Sequence, residues 1–414
     1  MTLFAALATP FRLASAQARY TVTDLGTLGG TFAQPNTLNN RGQVVGISSL
    51  PGDEVAHAFF WDKGTMVDLG TLGGPISVGN GINNSGEVVV GADTDMSGGL
   101  QNTICATSLI CRMFIWKGVI QVPDLGTLPG GTDAGTYSFL AFGFATSLIN
   151  DNHRAVGTAD LPFVDPNNPP FASFHAFRWN KGVITDLGTL GGINSEATAI
   201  NDLGEVIGGS QISTAPDPEL GFPPGHCFLW RKGEMTDVGT LGGKISWAGG
   251  INNRSQVAGV STLLGDNDFH AFLWEDGAFI DLGTFPGDVA SAASGLNNQD
   301  EVVGASGTTT EPIRAVLWKN GVVIDLNSRI PSDSGWQLMW AGSINARGQI
   351  TGVGVHNNEG RAFLLTPTSG QSDHTAQSAS PATHSLDSGA RLRLPENLRH
   401  RVRWGWDQMR TRGR

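Results

Sequence analysis

The sequence predicts an all-β protein, a seven-bladed β-propeller of four-stranded antiparallel blades whose N-terminal strand completes the last blade and closes the ring. Three observations predict it. A composite motif recurs seven times in one fixed order. Each copy holds four short strand-like runs, and four strands in about 44 residues is the arithmetic of a propeller blade. The seventh copy also lacks the one strand that precedes the first copy.

The motif opens with an Asp-Leu-Gly-Thr-like block at Asp24, Asp68, Asp124, Asp186, Asp237, Asp281 and Asp325. A piece rich in small residues follows and ends in an Ile-Asn-Asn-like element, its first Asn at Asn39, Asn83, Asn150, Asn201, Asn252, Asn297 and Asn345. That piece reads as the first strand. Asn83-Asn84-Ser85-Gly86 is hairpin-turn chemistry, because Asn and Gly tolerate positive φ cheaply. Glu87–Val90 then reads as a β-branched second strand. A His-Ala-Phe-Leu-Trp-like third strand begins at His57, Arg112, His175, His226, His270, Arg314 and Arg361. After a polar turn such as Asp62-Lys63-Gly64 comes a fourth strand, Thr65–Leu69 in copy one. Copy seven stops after Arg361–Leu365, and the missing strand stands at the other end as Tyr20–Leu25. Joining the two removes the exposed edges of an open array.

Length alone, 414 residues, would suggest two or three domains. The repeat replaces that count with one domain, 19–366, between a leader (1–18) and a linker with a basic tail (367–414). The leader reads as a signal peptide: Leu3–Phe11 is mostly apolar, and Ala16-Gln17-Ala18 offers a small-x-small cleavage site. No basic residue precedes the apolar run; a misplaced start codon or an irregular leader on a non-secreted protein accounts for that. In the tail, Ser369–Ser388 has linker composition, and Leu398, Val402 and Trp406 would share one face of a short helix.

Charged residues make up 15% of the chain and the net charge is −11, which argues against a nucleic-acid partner. No apolar run is long enough to span a bilayer as a helix. Of three cysteines, Cys105 and Cys111 could pair in an oxidising compartment, and Cys227 reads as a small buried residue. No metal-ligand spacing accompanies them.

The His-Ala-Phe and Asp-Leu-Gly-Thr-Leu-Gly-Gly blocks resemble the HAF repeats of a bacterial extracellular-repeat family, over about Tyr20 to Leu365. The resemblance implies an exported bacterial protein and carries over no catalytic residue. Arg112, Arg314 and Arg361 depart from it by replacing His, and Asp325-Leu326-Asn327 is degenerate.

Residues that recur in every copy hold copies together, whereas catalysis needs one asymmetric site. The recurring His, Asp and Trp are therefore read as structural, with His and Arg sharing a hydrogen-bond donor role and each Asp, taken as buried, capping backbone N–H groups. Function belongs where copies differ. The second-to-third connection has 20, 17 and 17 residues in copies two to four, against 8 to 10 elsewhere. By strand parity these connections emerge on one face together with those between copies. They carry Asp93, Asp95, Asp133, Asp160, Asp165, Asp217 and Glu219, with Phe163, Phe171, Phe174 and Phe222. A cation, a sugar or a basic protein surface suits them. Ca²⁺ would find Asp oxygens but no regular loop, and no other cofactor is expected.

A second candidate lies at the channel mouth on that face, five residues before each first Asn. There Gln34, Glu196, Trp247 and Trp340 would offer stacking surfaces and polar anchors for a sugar. The expected function is a secreted, monomeric, non-enzymatic scaffold that binds a glycan or protein surface. One rival is a glycoside hydrolase or lyase pairing Glu196 with Asp133 or Asp165. The other is a purely structural envelope protein.

Overall fold

The computed structural model describes residues 19–97, 109–118, 120–121, 124–135, 147–169, 171–308 and 313–368. The leader, Cys105, Ala145 and the tail beyond 368 lie outside the described residues. The chain is all-β, built from four-stranded antiparallel meanders. In copy one the strands are Ala33–Leu38, Val44–Ser49, Ala56–Asp62 and Thr65–Asp68. Copy four repeats the order with Ser195–Ile200, Val206–Gln211, Gly225–Arg231 and Glu234–Gly239. Sheets of copies one and two are joined by a single parallel bridge, Ala56 to Ile76.

The sheet of copy seven takes Trp336–Ile344, Ile350–His356 and Glu359–Pro367 from its own sequence. Its fourth strand is Tyr20–Asp24, antiparallel from Tyr20↔Pro367 to Asp24↔Phe363. Third strand and pairing thus run to Pro367, past the sequence-based end at Leu365. Copy three departs from the pattern: its described first strand is only Ala134–Gly135, with Ile149 bridging Ala155 further on.

The cores lie between consecutive sheets. Ala199, Ile207, Cys227 and Leu229 of copy four pack with Ala248, Val257, Phe272 and Trp274 of copy five. The same kind of contact joins the ends of the array, where Phe59 and Trp61 of copy one pack with Ala362 and Leu364 of copy seven. Six third-strand phenylalanines are wholly buried: Phe59, Phe114, Phe177, Phe228, Phe272 and Phe363. A buried aromatic side chain of this size contributes about 2–3 kcal/mol. Gly46, Gly157, Gly208, Gly259 and Gly352, which end the second-strand runs, make room for five of them. A Cβ on Gly259 would fall 2.1 Å from Trp247 O and 2.9 Å from the Phe272 ring. In every copy but the third the first strand is bulged near here, as at Ala248/Gly250, where its backbone comes close to that Gly.

Candidate functional site

At one end of the molecule the first Asn of all seven copies is buried, 3–5% exposed. Each side-chain amide donates to the backbone carbonyl of the first Asn in the next copy. The bonds run Asn39 to Asn83, Asn83 to Asn150, Asn150 to Asn201 and Asn201 to Asn252. They continue through Asn297 and Asn345 and return to Asn39, at 2.8 to 3.3 Å. The cycle is closed. Within its own copy each Oδ1 accepts from the turn backbone, as Asn83 does from Ser85 N and Glu87 N.

The next residue in each copy forms an outer row. The backbone N–H of Asn40, Asn84, Asp151, Asp202 and Asn253 donates to the side chain of the corresponding residue one copy on. Ala346 has no side-chain acceptor to offer Asn298, so the row is interrupted there, and it resumes from Ala346 N to Asn40 Oδ1. The two rows line a polar cavity of about 160 Å³. Two neighbouring carboxylates stand at it, and both are bonded: Asp151 accepts from Asn84 Nδ2 at 2.6 Å and Asp202 from Asn253 Nδ2 at 2.7 Å. Reading the Asn pair as turn chemistry missed this collar. The signal that could have found it is the invariance of the first Asn across seven copies, since a hairpin turn alone would accept Asp or Gly.

The sequence-derived candidates lie toward the opposite end. Trp340 is buried and its Nε1 donates to Ser294 Oγ at 2.9 Å, while Trp247 is partly buried against the same apolar cluster. Gln34 and Glu196 are half-buried on their bulged strands. Asp93, Asp133, Asp160 and Asp165 are at most 3% exposed. Asp133 accepts from Cys111 N, Asp160 from Thr132 N and Asp133 N, and Asp165 from Asn167 N and Asn194 Nδ2. Burial, with Asp160 nearby, leaves the Asp133 carboxyl above the usual range. Asp217 and Glu219 share Lys244 Nζ at 2.9 and 2.5 Å, a cation that the composition of the connections alone did not bring there. Asp95 is exposed. Among the described residues no three His, Cys, Asp or Glu side chains are placed to hold a metal.

The recurring histidines face the recurring aspartates. His57, His175, His226 and His270 each bring Nδ1 to 2.9 Å from Asp68, Asp186, Asp237 and Asp281. Arg112 and Arg314 take the same role toward Asp124 and Asp325. In copy seven the pattern shifts: Arg361 pairs with Glu359, and His356 approaches Asp24. The aspartates are not buried, contrary to expectation, since the side chain of Asp237 is 44% exposed. They do cap backbone, as Asp237 does for Gly239 N.

Burial pushes the Asp186 and Asp237 carboxyls up, but the His175 and His226 contacts and the turn N–H groups outweigh it and leave both lowered. A carboxyl lowered in the folded state stabilises above its unfolded pKa and loses that contribution as pH falls through the folded value. Urea midpoints are therefore expected to hold to about pH 4 and fall below it. The fall is expected to be shallower in Asp237→Asn.

Cys111 is disulfide-bonded, and Cys227 is free and wholly buried, its thiol pushed far up by burial. Among the described residues no helix is long and apolar enough to cross a membrane.

No protein-family model matches the chain, and no curated protein matches it either. Solved structures do. A puromycin hydrolase is similar over 85% of this chain and 55% of its own, at 10% identity and a TM-score of 0.53. The β-propeller domain of the Trilobed protease from Pyrococcus furiosus, which has an open velcro topology, is similar over 70% of this chain and 80% of its own (10% identity, TM-score 0.44). TolB from Acinetobacter baumannii is similar over 83% and 65% (11% identity, TM-score 0.41). The structural neighbours are β-propellers, and at these identities the likeness is one of fold alone.

Proposed function

We propose that the chain is a seven-bladed β-propeller of the HAF-repeat kind, closed by its N-terminal strand. The cyclic bonding of seven asparagines and the pairing of Tyr20–Asp24 with Glu359–Pro367 support that reading. We further propose a secreted, monomeric, non-enzymatic scaffold that needs no cofactor. It takes a glycan or protein surface at the end where the long connections of blades two to four project. A disulfide at Cys111 fits an oxidising compartment.

One observation carries the binding reading. Among the described residues ten large apolar side chains stand exposed, and five of them stand at that one end: Met96, Phe163 and Val164 at the strand ends that lead into the long connections of blades two and three, and Leu264 and Val289 in the connections of blades five and six. Apolar side chains collected on one face beside acidic groups are the composition of a recognition surface. The hydrolase reading draws less support, because both partners offered for Glu196, Asp133 and Asp165, are buried and bonded internally.

The test is a binding screen of the full chain against cell-wall and plant glycans, with Ca²⁺ and with chelator, while reducing ends are monitored. Binding is expected with or without Ca²⁺, without bond cleavage, and weakened at least tenfold in Met96→Ser with Phe163→Ser. Both residues are half-exposed, so the double variant keeps its fold. Release of reducing ends would establish an enzyme instead. Failure to bind any glycan would move the reading to a protein partner or a structural role.

A further inference from the structure

The end that carries the asparagine cycle repeats its chemistry from copy to copy, and copy three breaks it at two positions. Four residues after the first Asn, the other six copies carry Gln43, Glu87, Glu205, Gln256, Glu301 and Gln349, whose side chains accept from that Asn. Copy three carries Arg154, which has no acceptor to give. Before the last residue of the third-strand motif, the others carry Phe60, Ile115, Leu229, Leu273, Leu317 and Leu364. Copy three carries Arg178.

Both substitutions put a cation on the same face of the sheet. Arg178 pairs with Val156, and Val156 is two residues from Arg154 on its strand, so their side chains point the same way. That face is turned toward copy four. The Arg178 guanidinium lies over the Trp230 ring, 4.6 Å from its centroid. Arg154 lies across the turn of copy four, where a Cβ on Gly204 would fall 2.4 Å from Nη1. Among the described residues neither arginine has an ion-pair partner, and Arg178 Nε is buried without an acceptor. Glu205, in the same turn as Gly204, accepts at its Oε2 from Asn201 Nδ2 and Ser255 Oγ. Burial, and then the charge of Arg154, lower the Arg178 pKa.

We propose that Arg154 and Arg178 form a site for a small oxyanion at the seam between copies three and four, taking a carboxylate, sulfate or phosphate group. Two guanidiniums without a carboxylate between them repel; an oxyanion converts that repulsion into charge-assisted, forked hydrogen bonds. The Trp230 ring fixes the plane of one fork and keeps water from that side of it. In a chain of net charge −11, an unpaired cationic pair is a feature that a purely structural seam would not require.

The experiment uses the full chain with inorganic phosphate, sulfate and galacturonate in parallel, by calorimetric titration and thermal unfolding at ionic strength matched with NaCl. Arg178→Leu and Arg154→Gln install what other copies already carry at these positions, so both variants fold. At least one of the three anions is expected to bind and raise the unfolding midpoint, and each variant is expected to weaken binding at least tenfold. A response to phosphate or sulfate alone names an inorganic or esterified anion, and a response to galacturonate names the carboxylate of an acidic sugar. The proposal is overturned if none of the three binds, or if wild type and both variants bind equally. Arg178 would then be a stacked structural residue.

Discussion

Asn201→Ala is expected to lower stability by about 3 kcal/mol, since an unsatisfied buried polar group costs about 1–3 kcal/mol. Asn201 is 5% exposed and its side chain makes three bonds. Its Oδ1 accepts from Glu205 N at 2.9 Å, and its Nδ2 donates to Glu205 Oε2 at 2.7 Å and to Asn252 O at 3.0 Å. Alanine strips the turn of its internal cap and leaves the Asn252 carbonyl without its donor from copy four. The exposed outer-row Asn253→Ala, where water replaces the lost partners, is expected to cost less than about 1 kcal/mol. Paired urea melts of the two variants check the contrast. Equal losses would mean that the inner cycle has no special weight.

Removing the segment through Asp24 is expected to cost about 5 kcal/mol. That estimate combines two apolar side chains at about 1.5–3 kcal/mol each with the loss of a strand ladder. Tyr20 and Val22 pack on the cluster of Leu326, Ile330, Leu338, Phe363 and Leu365, and all five strand residues pair with the sheet of copy seven. Burial pushes the Tyr20 hydroxyl up to about 12, in keeping with a side chain packed against the sheet. The loss also bares the edge of Glu359–Pro367, so concentration-dependent association is expected beside the lower midpoint. A chain lacking only residues 1–18 is expected to melt like the full chain, because Arg19 N still reaches Arg329 O. Thermal melts with size-exclusion chromatography across a concentration series separate these outcomes. If both truncations behave alike, the N-terminal strand does not hold the array together.

The strand count, the order within each copy and the pairing of Tyr20–Asp24 with the last copy were legible in the chain. They rest on local chemistry repeated seven times, with β-branched runs, turn residues and a gap at one end matched by a surplus at the other. The donor role shared by His and Arg was legible too, because the two have little else in common: His226 and Arg314 both point at the aspartate eleven residues on.

The fate of individual carboxylates was not legible. Asp160 and Asp95 occupy similar stretches of sequence, yet one is buried against backbone N–H groups and the other is exposed. Lys244 reaches Asp217 across 27 positions of sequence, and Trp340 finds Ser294 across 46. Composition by connection cannot anticipate either meeting.

By itself, then, the sequence determined what recurs: the strands, the turns and the residues each copy needs to pack on its neighbour. The tertiary structure alone decided what the copies make together. A side-chain amide with one donor to spare becomes a closed seven-membered cycle only when the last copy is brought beside the first. Arg154 and Arg178, 24 positions apart, become a cationic pair only when strand pairing turns both toward copy four. The physical reason is range: backbone preferences and hydrophobic alternation act over a few residues, whereas hydrogen bonds and charges act on whichever groups the packing of sheets brings within a few ångströms.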